Sequence, residues 1–268
     1  MKKMLLLSCL FVLTAIVLAH AAVEAPARTN LAAQKPLDAA APDRATRTVA
    51  GWTLHISRDL LAKETKPNER ALELLQKQLE EIVRLVPARA VTELQKVPLY
   101  FSPEYPGQKP KAEFHPDAGW LRNHGRDPAM AKAIEFTNIR IFERESNRMP
   151  NFALHELAHA YHNRVLPQGF DNPEIKAAYL KAKAGGHYDR VERWHGTGQP
   201  NTFERAYAMT NPQEYFAETT EAFFSRNDFF PFTREELKQH DPGMFALLEQ
   251  LWNLPQNRSS GASALTDR

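Results

Sequence analysis

Residues 152–162 read FALHELAHAYH and place His155, Glu156, His159 and His162 among side chains that are otherwise apolar or small. The stretch reads as a buried helix, and ionisable groups on a buried helix must be paired or bound to something. Residues four apart share one helix face, so His155 and His159 point the same way and Glu156 is offset by one position. Whatever fold this chain adopts must set a second element opposite that face.

The spacing His155-Glu156-x-x-His159 lets both imidazoles reach one zinc ion at about 2.0–2.1 Å, while Glu156 is placed to act as a general base toward a water. His162 lies three residues further along the same face. A continuation of the form H-E-x-x-H-x-x-G-x-x-H fails, because position 162 is His162 rather than glycine and position 165 is Val165 rather than histidine. His162 is therefore expected either as a neighbour of the site or as a partly exposed polar residue. Catalytic zinc takes three protein ligands and keeps one open position. The downstream candidates are His187, His195, Glu204, Glu214, Glu218, Glu221 and His240. The strongest lie in NPQEYFAETTEAFF (211–224), where carboxylates sit among Tyr215, Phe216, Phe223 and Phe224 and are costly to bury unless paired or metal-bound. Glu214 and Glu218 are four apart there. The expectation is a gluzincin-like arrangement with Glu214 as the ligand and Glu218 accepting the second ring N–H of His155.

The 54 residues between His159 and Glu214 leave room for an inserted segment. The remaining chain supplies the setting. Residues 1–21 follow the order of a secretory signal peptide: Lys2 and Lys3, an apolar run, then Ala19 and Ala21 around His20. Cleavage is expected after Ala21, with export to the periplasm or beyond the cell and no membrane insertion afterwards. Without residues 1–21 the Lys+Arg count falls from 34 to 32, equal to the 32 Asp+Glu. A near-neutral chain offers no electrostatic footprint for nucleic acid. The only cysteine, Cys9, leaves with the signal, so stability rests on the core and a metal rather than on disulfides.

Residues 22–49 are rich in alanine and proline without periodicity and read as a flexible leader; 256–268 read as a disordered tail. One domain is expected over 50–255. GWTLHIS (51–57), VPLYFS (97–102) and AIEFTNIRIF (133–142) read as strands. Residues 68–86, 149–165, 211–224 and 242–252 carry helical periodicity, and 190–201 reads as an irregular or hairpin connection. Strands first and helices later argue for an α+β fold: a small mixed sheet packed on the H-E-x-x-H helix, with a helical C-terminal half. His115, Trp120 and His124 fall in a loop that either lines a cleft or buries one tryptophan.

AYAMTNPQEYFAETTEAFF (206–224), taken with HELAH, resembles the catalytic domain of anthrax lethal factor and the secreted Pro-Pro endopeptidases of clostridia. In that family a tyrosine stands seven residues before the ligand glutamate, followed by Thr-Asn and E-[FY]-F-A-E. Tyr207, Thr210, Asn211, Glu214, Tyr215, Phe216, Ala217 and Glu218 occupy those places. The resemblance covers roughly residues 150–225. It implies a zincin-like metallopeptidase with Glu214 completing the zinc site and Tyr207 donating its phenol to the developing oxyanion. It implies a peptide substrate, held in extended form against an edge strand near 133–139. Two other expectations stand beside it: an inactive zinc-binding domain that recognises peptides, and an amidase acting on cell-wall cross-links.

Overall fold

The computed structural model describes residues 43–253. The signal peptide, most of the leader and the tail lie outside the described residues. The fold is α+β. In chain order it comprises β1 (Arg44–Val49), β2 (Trp52–Ser57), α1 (Arg58–Lys63), α2 (Thr65–Leu85), α3 (Ala88–Leu94), β3 (Leu99–Phe101), β4 (Ala112–Phe114), α4 (Ala118–Asn123) and β5 (Ile134–Phe136). There follow α5 (Phe142–Arg148), α6 (Phe152–Arg164), α7 (Pro173–Gly185), β6 (Val191–Arg193), β7 (Thr202–Glu204), α8 (Pro212–Phe224), α9 (Arg234–His240) and α10 (Pro242–Trp252).

The first departure from the sequence reading is β1, which occupies the last residues assigned to the leader. Thr46, Arg47 and Thr48 face water and give no hydrophobic alternation, so the strand is set by its partner rather than by its own composition. β1 pairs antiparallel with β2 through a two-residue turn in which both Ala50 and Gly51 have positive φ (47° and 94°). That turn matches the twist of the hairpin, and a side chain at Gly51 would collide with Gln95.

The sheet runs β1-β2-β3-β5-β4, with β2, β3 and β5 parallel and the two edge strands antiparallel to their neighbours. Its register makes cross-strand rows. Leu54, Leu99, Ile134 and Phe114 form one row, and Ile56, Phe101, Phe136 and Ala112 another, both on the face toward α2 and α6. Helix α2 answers with Ala71, Leu75, Leu79 and Ile82, at most 1% exposed and spaced for one helical face. The intervening row, His55, Tyr100, Glu135 and Glu113, lies on the opposite face. The segment carrying α4 covers that row, and Leu121, Met130 and Ala133 pack on Tyr100 as a small separate core.

The strand expected over 133–142 ends at Phe136. Residues 139–141 make a 3-10 turn that leads into α5, because Phe142 turns inward to pack on Phe101, Phe136 and Phe152. β5 is also interior. The edge strand on that side of the sheet is β4, which the sequence reading passed over as loop.

Helix α6 is buried almost all round, from Phe152 to His162 with only Glu156 partly exposed. It starts where Asn151 Oδ1 accepts the Leu154 N–H at 3.0 Å, a side-chain cap. The long connection to α8 is filled by α7 and the β6–β7 hairpin. Helix α10 closes the core: Trp252 stacks on Tyr161 at 4.1 Å between ring centres and lies nearly parallel to Phe216.

Candidate metal centre

Two helices build the site. On α6, His155 and His159 sit one turn apart on the face toward α8. On α8, Asn211 caps the helix by accepting the Glu214 N–H at 2.9 Å, and Pro212 occupies the first turn, where its missing N–H costs nothing. That cap places Glu214 in the first turn, and the spacing 214, 218, 221 puts three glutamates on the face toward α6.

The ligand atoms converge. His155 Nε2 lies 3.1 Å from His159 Nε2 and 3.1 Å from Glu214 Oε2, and His159 Nε2 lies 3.3 Å from the same oxygen. Three donors each about 2.0–2.1 Å from one tetrahedral ion stand about 3.3 Å apart, so the triangle fits zinc. His155, His159 and Glu214, the three residues expected as ligands, are brought together. Their charges are coupled. Burial alone would raise the Glu214 carboxyl, but its contacts with His155 and His159 hold it well below the usual carboxylate range. Burial would likewise depress His155, yet Glu214 and Glu221 drive it well above an ordinary imidazole.

The residue behind His155 corrects the sequence reading. Glu221 Oε1 meets His155 Nδ1 at 2.7 Å, whereas Glu218 Oε1 stands 3.7 Å away, beyond a hydrogen bond. Side chains on a helix lean toward its N-terminus, so the acid that arrives behind His155 is the one two turns past Glu214, not the one a single turn past it. Burial, followed by the charges of Asp228 and Glu221, pushes the Glu218 carboxyl well up; Glu221 is raised to about 7, mainly by burial, with His155 opposing. The sequence marked Glu221 only as one ligand candidate among several. Its spacing of seven from Glu214 was the available signal.

Glu156 turns away from the ligand triangle and lines a cavity of about 290 Å³ together with His155, Tyr207, Glu218 and Ala112 of β4. Its Oε2 accepts the Phe114 N–H at 2.8 Å, which ties it to the edge strand. Pairing of β4 with β5 uses the backbone at Lys111 and His115, so the alternate residues Ala112 and Phe114 turn their peptide groups toward the cavity side. Tyr207, in a 3-10 turn before α8, is 47% exposed, high for an aromatic ring, and lines the same cavity. Partial burial, with the Glu214 charge next, pushes its phenol up to about 12, so it carries its proton at neutral pH.

Other candidates fall elsewhere. Of the two expectations for His162, partial exposure does not hold: it is fully buried beside the site, edge-on to Phe170, which also meets the His159 ring, and tilted against Phe216, and burial lowers its pKa to about 3. Neither of its nitrogens has a hydrogen-bond partner among the described residues. His195 bonds Thr202 in the β6–β7 hairpin with Glu204 nearby, and His187 packs on His240. His115, Trp120 and His124 stack on one another on the far face of the sheet. No protein family, curated protein or solved structure matches the chain.

Proposed function

We propose that the protein is a secreted zinc metallopeptidase of the gluzincin type, with a zincin-like arrangement of sheet and active-site helix. The observation that carries this reading is the convergence of His155 Nε2, His159 Nε2 and Glu214 Oε2 at 3.1–3.3 Å beside a cavity lined by Glu156 and Tyr207. Zinc held there would supply Lewis-acid polarisation of a carbonyl and a lowered pKa for water. The chain's own residues divide the remaining work. Glu156, steadied by the Phe114 N–H, takes the proton of the attacking water and passes it to the leaving amine. Tyr207 keeps its proton and donates it in a hydrogen bond to the oxyanion. Glu221 fixes the His155 tautomer by holding its Nδ1–H, which leaves Nε2 free as a donor to the metal. An extended peptide fits against the edge of β4 at Ala112, beside the Phe114 N–H that holds Glu156, which takes the place first assigned to the 133–139 strand. The likeness to the lethal-factor and Pro-Pro endopeptidase sequences supports the same roles for Glu214 and Tyr207.

The test uses the chain from residue 22 loaded with one equivalent of zinc, beside its Glu156→Ala form, on a diverse peptide mixture read by mass spectrometry. Cuts that vanish with Glu156 are the expected result, with a rate loss of about 10²- to 10⁴-fold. Equal cutting by both forms would rule out Glu156 as the base. Bound zinc without any cut, or cutting of peptidoglycan fragments alone, would move the assignment to a recognition domain or an amidase.

A further inference from the structure

The cavity extends past the metal ligands to a second group of charges: Glu145, Arg148, Arg193 and Asp228, with Met149 and Phe229 beside them. Asp228 is closed off, its side chain 2% exposed, and accepts a hydrogen bond from Arg148 Nη1 at 2.6 Å. Arg193 Nε approaches the same carboxylate oxygen only to 3.6 Å, too far to bond it. Both arginine side chains are 26% exposed. Arg148 is braced by Glu145 at 3.0 Å. Arg193 lies over the Phe229 ring at 4.5 Å, and its Nη1 is 3.3 Å from Glu204. The Nε of Arg193 has no hydrogen-bond partner among the described residues.

Asp228, which bonds Arg148, is therefore hidden, while Arg148 and Arg193 line the cavity. Among the cations that line the cavity, Lys111 is paired with Glu113 at 2.7 Å and Arg148 with both Asp228 and Glu145. Arg193 meets its nearest acids only at 3.3 Å (Glu204) and 3.6 Å (Asp228), which leaves it the least tightly paired of the three. Planar, forked donors of this kind match a carboxylate better than any neutral group.

We propose that this end of the cavity is a carboxylate subsite, where Arg148 and Arg193 select an anionic group of the substrate next to the bond that is cut. The inference rests on the peptidase reading and adds to it a substrate class. The carboxylate has two sources: an Asp or Glu side chain flanking the cut, or the free C-terminus of a short peptide.

Binding to the zinc-loaded Glu156→Gln form, followed by calorimetry, separates them. Peptides placed by the cleavage map are made in pairs, one pair exchanging Glu for Gln beside the cut, the other exchanging a C-terminal acid for its amide. Neutralising the recognised carboxylate should weaken binding about tenfold or more. Arg193→Gln should erase that difference while leaving affinity for the neutral member within about twofold; its circular dichroism and melting temperature check that it folds. Arg193→Lys should keep part of the preference. A loss confined to the first pair assigns a side chain, and one confined to the second assigns the C-terminus. Equal binding within both pairs, or discrimination that survives Arg193→Gln, overturns the subsite. If Glu156-dependent cutting persists without any preference for charge, only the subsite falls. If no Glu156-dependent cutting occurs, the peptidase reading falls and the subsite with it.

Discussion

Two buried histidine–glutamate clusters flank β4, and they resolve the same problem in opposite ways. Behind the sheet, His115 Nε2 meets Glu135 Oε2 at 3.0 Å, Tyr105 donates to Glu135 Oε1 at 2.8 Å, and Arg126 reaches both Glu135 and Glu113. Both oxygens of Glu135 are occupied by protein donors and a guanidinium supplies the balancing charge, so the cluster is closed. Between α6 and α8, Glu214, Glu218 and Glu221 gather around two histidines, and no arginine or lysine bonds any of the three among the described residues. Buried carboxylates without a cation are costly. The difference is that one cluster contains an arginine counter-charge, while in the other the acids face only histidines, and under the proposed function zinc would supply the further charge.

The comparison predicts opposite responses to mutation and to zinc. Arg126→Met leaves the buried Glu135 without its cation and should cost about 3–5 kcal/mol in denaturant unfolding while zinc affinity is unchanged. If zinc affinity falls in parallel, the two clusters are coupled through β4 and the contrast fails. Glu214→Ala should act chiefly on zinc, weakening it by more than about 100-fold in a chelator competition, while the metal-free chain also loses stability because the carboxylate bonded to His155 and His159 is gone. Equal zinc retention would move the third ligand to another acid of α8.

Within the metal centre, Glu221→Gln should weaken zinc by about 10- to 100-fold and Glu218→Gln by only a few-fold. A larger effect at Glu218 would return it to the role first assigned from the sequence. His162 gives a pH test. Its folded pKa of about 3 lies below the unfolded value of about 6.5, so the unfolded chain binds the extra proton between those values. Its contribution to stability is present above pH 6.5 and is lost as pH falls toward 3. Between pH 7.5 and pH 5 it amounts to about 2 kcal/mol, one proton over about 1.5 pH units. In thermal unfolding of the metal-free chain and its His162→Phe form at both pH values, the parent should lose about 2 kcal/mol more than the variant, since His155 and Glu221 titrate alike in both.

Much of this organisation was legible from residue spacing. The i, i+4 placement of His155 and His159, the Asn211-Pro212 helix start and the aromatic setting of Glu214 each follow from local rules of helix geometry and capping, and each holds within one element. Helices α2, α8 and α10 were readable for the same reason. What failed was non-local. β1 and β4 have short or polar sequences and become strands only because β2 and β5 present open edges to them. Val165 and Tyr161 gave no sign that Phe170 and Phe216 would close over His162. The choice between Glu218 and Glu221 depended on how far α8 runs past His155.

The sequence by itself determined which residues could bind a metal and on which helix faces they lie, since a helical repeat fixes neighbours three and four residues away. Only the tertiary structure decided which acid stands behind His155, which strand borders the cavity, and that Arg148 and Arg193 open into it. Those relations join residues 35 to 80 positions apart, and their distances are set by the packing of α5, α6, α8 and the β6–β7 hairpin around one core.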